Sequence, residues 1–442
     1  MSAEITVHTE VVRQGSRPVA IRRRCLRIVV RRGPDKGKSS DHADDRIVLG
    51  THPACQVVLG DPTVSRQHCE IALVPRGYLI RDLDSTNGVV FDGVRVGEIT
   101  IDREVTLQLG DTQVALKPID ASVELPLATA TRFGPLLGHS VAMRQVFDRL
   151  ARLAPSELAV LITGESGTGK ELAAQAIHEA SPRRHGPLRI VDCGAIAHGL
   201  IESELFGHVK GAFTGADRTR EGAFVAASGG TLFLDEIGEL PLELQARLLG
   251  ALERRVVVPV GSSTPVRVDV RILAATHRDL RRAVNVGTFR EDLYFRIAGA
   301  TVVMPPLRER PEDIPLYVDD YFEGEAQLDA PMLAQLQAQR WPGNVRELRN
   351  ALARAAVLGA HDAAADVAVA PAAPTTSFPV RVDPGVPYKL AKAQLLEEFD
   401  RHYLDGVLAH HDRNITHAAH AAGLDRVHFL RMLDRLGLRP RR

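Results

Sequence analysis

The sequence predicts a multidomain chain: an N-terminal β-sandwich, a central α/β domain with a helical lid, and a small all-α domain near the C-terminal end. Three observations carry this. Short strand-like runs separated by Gly, Pro, Asp and Asn turns fill residues 26–118. Apolar strands alternate with helical stretches from about 135 to 360, the texture of a mostly parallel sheet covered by helices. Residues 388–442 hold no proline before Pro440 and repeat apolar residues at helical spacing. A length of 442 residues agrees with three domains of roughly 150 residues each.

Composition narrows the class. Hydrophobic residues are 45% and charged residues 25%, the proportions of a globular protein, which excludes wholesale disorder and a collagen-like repeat. Lys plus Arg and Asp plus Glu are both 55, a balance that by itself argues against a polyanionic partner. The balance is uneven along the chain. Residues 1–40 carry ten basic and three acidic side chains, and residues 387–442 carry ten and seven, with six of the 17 histidines. Cys25, Cys55, Cys69 and Cys193 form no CxxC pair, no apolar run approaches a bilayer span, and the N-terminus has no signal-peptide core. The expectation is a cytoplasmic protein with no membrane partner.

The first part is assigned to residues 20–118. Its strands are Leu26–Val30, Ile47–Leu49, Val57–Leu59, Glu70–Val74, Tyr78–Ile80, Val89–Phe91, Val105–Leu109 and Val114–Leu116. Arg22-Arg-Arg24 reads as a solvated face beside the first of them. Residues 119–134 carry no clear pattern and read as a linker. The central part, 135–360, contains the strand Leu158–Thr163, a glycine-rich turn, a helix over Glu171–Ala180, and the buried-type strands Thr231–Leu234 and Val270–Ala274. Residues 361–387, rich in Ala and Pro, read as a second linker.

The glycine-rich turn is Gly164, Glu165, Ser166, Gly167, Thr168, Gly169 and Lys170. GxxxxGK between a buried strand and a helix is the context of a phosphate-binding loop. Its backbone N–H groups converge on phosphates, the helix N-terminus adds positive potential, and Lys170 reaches the β- and γ-phosphates of ATP. Glu171 stands where Ser or Thr usually supplies a hydroxyl to Mg²⁺. The strand ending in Asp235 and Glu236 completes the set: Asp235 to hold Mg²⁺ through the nucleotide, Glu236 to polarise the attacking water. Arg290 and Arg296 have the spacing of fingers that stabilise charge on a transferring phosphoryl group, although in isolation such arginines also describe a salt-bridged surface.

Beyond these residues the chain resembles a known family. Gly211, Ala212, Phe213, Thr214, Gly215 and Ala216, preceded by Glu204-Leu-Phe-Gly207, resemble the GAFTGA loop of bacterial enhancer-binding proteins, the AAA+ activators of sigma-54 RNA polymerase. Gly164–Glu171, Gly229–Glu236, Ala275-Thr-His277, Pro306–Arg310 and Trp341–Leu348 extend the resemblance. It implies that Phe213 and Thr214 contact the sigma factor, that Thr276 and His277 form a sensor, and that Arg346 in the lid senses the nucleotide. It also implies that Arg290 and Arg296 reach a neighbouring subunit in a ring, usually a hexamer. Val209 and Asp192 depart from the family pattern, where an acidic residue and Asn are usual. An exposed Phe between glycines fits a partner contact, and a buried turn is the plain alternative.

The flanking parts carry resemblances of their own. Ser65, Arg66 and His68, with Asp84-Ser-Thr86-Asn87-Gly88, resemble a forkhead-associated (FHA) domain, a sandwich that binds phosphothreonine. Ser65, Arg66 and Thr86 would then contact the phosphate, Asn87 the peptide backbone, and His68 would brace the loop. One guanidinium with small hydroxyls and an amide is a compact anion site. The chain has Gly50-Thr51 where the family usually has Gly-Arg, which removes one charged contact; a sandwich used only for packing is the alternative. In 388–442, an amphipathic helix over Ala391–Ala409 uses Leu395, Leu396, Phe399, Tyr403, Leu404 and Leu408. It precedes Ile415–Ala422, capped by Asn414, then a turn at Gly423-Leu424 and a helix over Arg426–Leu436 capped by Asp425. These resemble a Fis-type helix-turn-helix, in which Arg426, His428, Arg431 and Arg435 face DNA while Val427, Leu430 and Leu433 face inward. A helical hairpin for dimerisation is the alternative.

The sequence-level expectation is a sigma-54-dependent activator. It binds upstream enhancer DNA, hydrolyses ATP in a self-assembled ring, remodels sigma-54 RNA polymerase, and senses a phosphothreonine protein or peptide. An AAA+ remodelling chaperone with a phosphopeptide adaptor shares the hydrolytic residues but accounts for neither the GAFTGA loop nor the helix-turn-helix.

Overall fold

The computed structural model describes residues 9–14, 17–74, 76–323 and 330–358, and in the C-terminal part residues 400, 401, 403, 404, 407, 408, 415, 419 and 426–436. The chain divides into two units, Met1–Ala365 and Asp366–Arg442.

Among the described residues the N-terminal sandwich has twelve strands. They are β1 (Thr9–Gln14), β2 (Arg17–Arg32), β3 (Ser39–His42), β4 (Arg46–Gly50), β5 (Val57–Val58) and β6 (Cys69–Val74). The rest are β7 (Gly77–Asp82), β8 (Val89–Phe91), β9 (Val94–Val96), β10 (Glu98–Ile101), β11 (Val105–Leu109) and β12 (Thr112–Pro126). One sheet runs β1-β2-β12-β11-β8-β9, with β3 also on β2; the other runs β10-β7-β6-β4-β5. Val105, Leu107 and Leu109 are buried while Thr106 and Gln108 are exposed, the alternation of a strand with one face in the core. The core joins Leu26, Ile28, Val30, Leu107 and Leu116 of the first sheet to Ile47, Leu49, Ile71 and Ile80 of the second.

Two expectations are corrected here. The segment 119–134 is not linker throughout, because β12 continues to Pro126 and pairs Ser122–Pro126 with Arg24–Ala20 after a register shift. This stretch is largely exposed, Val123 included, so its order comes from backbone pairing with β2 rather than from burial. Arg22-Arg-Arg24 is likewise not uniformly solvated. Arg22 and Arg24 face Glu124 and Asp120 at 3.8 Å each, while Arg23 is buried and donates to the Ala43 carbonyl at 2.8 Å.

The central domain opens with a hairpin, β13 (Arg132–Phe133) and β14 (Leu136–Leu137), and α1 (Val141–Leu153). Then come β15 (Val160–Thr163), α2 (Lys170–Glu179), β16 (Leu188–Asp192), α3 (His198–Phe206), the ribbon β17 (Gly207–His208) and β18 (Arg220–Glu221), and α4 (Ala223–Ala226). The chain continues through β19 (Thr231–Asp235), α5 (Leu242–Arg254), a second ribbon β20 (Val256–Val257) and β21 (Val266–Arg267), and β22 (Arg271–Thr276). It finishes with α6 (Leu280–Val286), α7 (Glu291–Ile297) and β23 (Ala300–Val303). The five sheet strands are all parallel, in the order β16-β19-β22-β15-β23. Val160, Ile162, Leu273 and Ala275 pack with α1 and α2, whereas Leu161, Ile272 and Ala274 pack with α3, α5 and α7. Burial on both faces explains the continuous apolar runs.

The lid comprises α8 (Ile314–Tyr321), α9 (Ala330–Ala338) and α10 (Asn344–Leu358). Fully buried Asp313 pins it to the domain: its carboxylate accepts from the His139 and Ser140 N–H groups and the Ser140 hydroxyl, all at 2.7 Å.

In the second unit, α11 (Arg426–Leu436) has the bounds the sequence predicts. Leu404, Leu408, Ala419, Phe429, Leu433 and Leu436 form its core. Phe429, absent from the sequence-level inner face, is fully buried; Leu430 is half-buried and Tyr403, expected on the apolar face, is 43% exposed. The caps at Asn414 and Asp425, the Gly423-Leu424 turn and most of 391–422 lie outside the described residues.

Candidate functional site

The carboxyl ends of three adjacent parallel strands meet at one place. β15 runs into the glycine loop, β19 ends in Asp235 and Glu236, and β22 ends in Thr276. Open α/β sheets bind ligands at this edge. Gly167 and Gly169 have φ of +78° and +101°, values that a side chain would strain. A Cβ on Gly167 would also lie 2.3 Å from the Gly343 carbonyl oxygen, so lid and loop touch there. Thr168 closes the loop by donating to the Glu165 carbonyl at 2.8 Å. α2 begins at Lys170, and Glu171 is exposed.

Lys170 is buried. Its Nζ donates to the carbonyls of Gly164 and Glu165 at 3.1 and 3.3 Å and lies 3.4 Å from Glu236 Oε1. Glu236 sits at φ +47°, a left-handed turn that swings its carboxylate back over the strand end. Its Oε2 accepts from the His277 backbone at 3.2 Å and meets His277 Nδ1 at 2.7 Å. Burial pushes the Glu236 carboxyl up, but His277 and Lys170 outweigh it and hold the group below the usual glutamate value. Its neighbour Asp235 goes the other way: burial raises it, and the nearby Glu236 charge adds to this. Adjacent carboxylates driven apart in this way suit different roles. Thr276 is fully buried, and its hydroxyl accepts from the Arg278 N–H at 3.0 Å.

The lid reaches the loop through more residues than the sequence revealed. Arg346 donates to the Ser166 hydroxyl at 2.9 Å. Arg308 forks onto Glu165 at 2.7 and 2.8 Å, and Asn344 donates to Glu165 Oε2 and the Ser166 carbonyl at 3.1 and 3.0 Å. Arg308 holds the Glu165 carboxyl below its ordinary value. Asn344 is fully buried at φ +52°, a left-handed conformation asparagine tolerates. Arg308 and Asn344 had no assigned role; the only sequence signal was their place in the Pro306–Arg310 and Trp341–Leu348 stretches.

On the sandwich, the residues of the expected anion site converge. The Thr86 N–H donates to the Ser65 hydroxyl at 3.0 Å, and Asn87 donates to the Thr63 carbonyl at 2.7 Å. His68 is fully buried; its Nδ1 accepts from the Ser65 N–H at 3.0 Å, and its Nε2 contacts the Gly88 carbonyl at 3.0 Å. Burial pushes its pKa down, as suits a neutral ring bracing the loop. Arg66 does not point into solvent alone: it is ion-paired with Glu291 at the start of α7.

Comparison with known proteins decides the family. The model described as "Sigma-54 interaction domain" matches residues 136–303, and that of the "AAA+ ATPase lid domain" matches 308–370. The transcriptional regulatory protein ZraR of Escherichia coli K12 is 43% identical over 325 residues, covering 72% of this chain and 71% of ZraR. The chain belongs to the NtrC and ZraR family of sigma-54-interacting regulators. The regulator NtrC of Azospirillum brasilense is 48% identical over 283 residues, 62% of this chain; the chain spans 59% of NtrC's length. Among solved structures, NtrX from Brucella abortus in complex with ADP aligns at 34% identity and TM-score 0.49, covering 68% of this chain and 70% of NtrX. Over residues 29–120 the chain matches the model described as "Inner membrane component of T3SS, cytoplasmic domain". A structure described as an analysis of phosphothreonine-dependent FHA domain interactions aligns at 24% identity and TM-score 0.20, over 22% of this chain and 99% of that one.

The other expected residues make contacts of their own. Gly211 and Gly215, at φ +81° and +96°, close the Gly211–Ala216 loop with a bond from the Gly211 N–H to the Ala216 carbonyl at 2.9 Å. Phe213 is 37% exposed, its ring edge-on to the buried His208 at 5.0 Å, and Thr214 is exposed beside it. Ala216 is buried at the base, and a Cβ on Gly261 would lie 2.7 Å from Ala212, so the loop leans on the β20–β21 ribbon. Arg290 pairs with Asp292 at 2.7 Å, and Arg296 donates to the Leu252 carbonyl at 3.3 Å; neither bonds Lys170, Asp235 or Glu236. Arg431 and Arg435 are exposed on α11, Arg435 paired with Asp400 at 2.8 Å; the side chains of Arg426 and His428 lie outside the described residues. No helix among the described residues is long and apolar enough to cross a membrane.

Proposed function

We propose that this protein hydrolyses ATP to remodel sigma-54 RNA polymerase into the open complex, from an upstream enhancer site bound by its C-terminal helix-turn-helix. The observation that carries the proposal is the Glu236 carboxylate held ionised between Lys170 and His277, beside a phosphate-binding loop. The residues fit ATP: positive-φ glycines open the loop backbone to phosphates, and Arg346 meets Ser166 from the lid. They also fit Mg²⁺ bound chiefly through phosphates and water, because one carboxylate, Asp235, suffices for that mode. When bound, the ion neutralises charge developing on the transferred phosphoryl oxygens. Glu236 orients the attacking water and takes its proton at a carboxylate oxygen; Lys170 holds the β- and γ-phosphates. Thr276 and His277 report on the phosphate through Glu236. Arg290 and Arg296 complete the site of a neighbouring copy, which makes the working form a ring, a homohexamer in this reading. Phe213 and Thr214 present the contact to the sigma factor, and Arg426, His428, Arg431 and Arg435 face DNA. Ser65, Arg66, Thr86 and Asn87 bind a phosphothreonine protein or peptide.

The test is Glu236→Gln. The amide keeps the shape of the site but cannot take a proton, so nucleotide affinity should persist while turnover falls by about a hundredfold or more. Turnover at the unaltered rate would remove Glu236 from the mechanism.

A further inference from the structure

The face of the sandwich that carries the anion site is already occupied by another part of the same chain. α6 and α7 lie across both of its loops. Arg282 forks onto Asp84, next to Ser85-Thr86, at 2.7 and 2.9 Å. Asn285 donates to the carbonyls of Gln67 and Leu83, both at 2.6 Å. Arg281 reaches the buried carboxylate of Glu70 at 3.0 Å, and Phe295 stacks on His52 with centroids 3.7 Å apart and planes 7° from parallel. At the centre the Glu291 carboxylate takes Arg66, the guanidinium expected to bind phosphate.

We propose that the α6–α7 segment and a phosphothreonine peptide are alternative occupants of this face, with Glu291 standing where the phosphate would bind. The inference rests on the phosphothreonine reading given above. A carboxylate carries one negative charge and two oxygens, whereas a phosphothreonine carries about −1.5 to −2 and three, so the peptide is the stronger partner for Arg66. Two features mark the junction as exchangeable. Gln67 Nε2 and Glu291 Oε1 are buried there without a hydrogen-bond partner, though buried polar atoms are seldom left so. Arg66 itself keeps 69% of its side chain exposed, so a peptide can approach it without the sandwich unfolding. Exchange would release the first turn of α7, which begins right after Arg290 and contains Arg296. The two events are linked in both directions: whatever draws α7 away raises peptide affinity, and peptide binding frees α7.

The experiment uses the full chain and a degenerate phosphothreonine peptide pool read by fluorescence anisotropy, with the unphosphorylated pool as control. Glu291→Gln removes the competing charge, and Arg282→Glu opposes Asp84 without touching the anion site. If the closed form outweighs the open one tenfold, each variant binds the phosphorylated pool about tenfold more tightly than the unaltered chain. Adding Arg66→Ala to either variant abolishes binding. Amide exchange across residues 280–297 rises when peptide is bound. Equal affinity in all three proteins, still lost with Arg66→Ala, overturns the competition and leaves phosphothreonine recognition standing. So does peptide binding with no change in exchange across 280–297. Failure of the phosphorylated pool to bind any of the three removes the phosphothreonine reading and this inference with it.

Discussion

The role proposed for Glu236 depends on its surroundings. A buried carboxyl ordinarily rises and spends more time protonated, which would disable it as a base. Here the His277 ring at 2.7 Å and Lys170 at 3.4 Å reverse that, and the group titrates lower than a free glutamate. A lowered value keeps the base ionised to more acidic pH, so the acid limb of kcat/KM should lie beneath the ordinary glutamate range. His277→Ala removes the side-chain bond and leaves the burial, and the limb should then move to higher pH. A pH profile with an unmoved limb would exclude His277 as the residue that sets Glu236. Asp235, raised by the same burial, is steadied by the bond its Oδ1 accepts from the Glu236 N–H at 3.0 Å.

Among the elements, those with a strong local rhythm were legible and those ordered by distant partners were not. β11 alternates without exception, and α11 has the bounds its apolar spacing predicts. The glycine loop was legible because GxxxxGK must lie between a strand and a helix to work. β1 and the end of β12 were missed, since both are largely exposed and take their order from backbone pairing with β2. Arg308 and Asn344 were missed because their partner, Glu165, lies 143 and 179 residues away. The Gly211–Ala216 loop falls between these cases. Its glycines foretold a turn, while only the fold shows Phe213 resting on His208 at a ribbon tip. That placement carries a prediction: Phe213→Ala should keep ATPase activity within about twofold while open-complex formation is lost, because truncating a partly exposed side chain costs the fold little. Transcription assays giving normal activation would remove the loop from the mechanism.

At the scale of the molecule, the equal totals of 55 acidic and 55 basic side chains divide between parts with different tasks. The C-terminal unit presents Arg431 and Arg435 on an exposed helix face. If these two meet phosphates, replacing both with Ala should weaken DNA binding across all sequences and flatten the dependence of log K on log salt by about 1.8. An unchanged slope would turn that face toward a protein partner. The ATPase site has a different reach along the chain. Its loop is closed at Ser166 by an arginine 180 positions later. A ribosome that has finished the glycine loop must therefore add the sheet, the arginine-bearing helix α7 and most of the lid before the pocket is whole. Nascent chains released earlier carry the entire phosphate-binding motif and lack the Asn344 and Arg346 contacts that hold it.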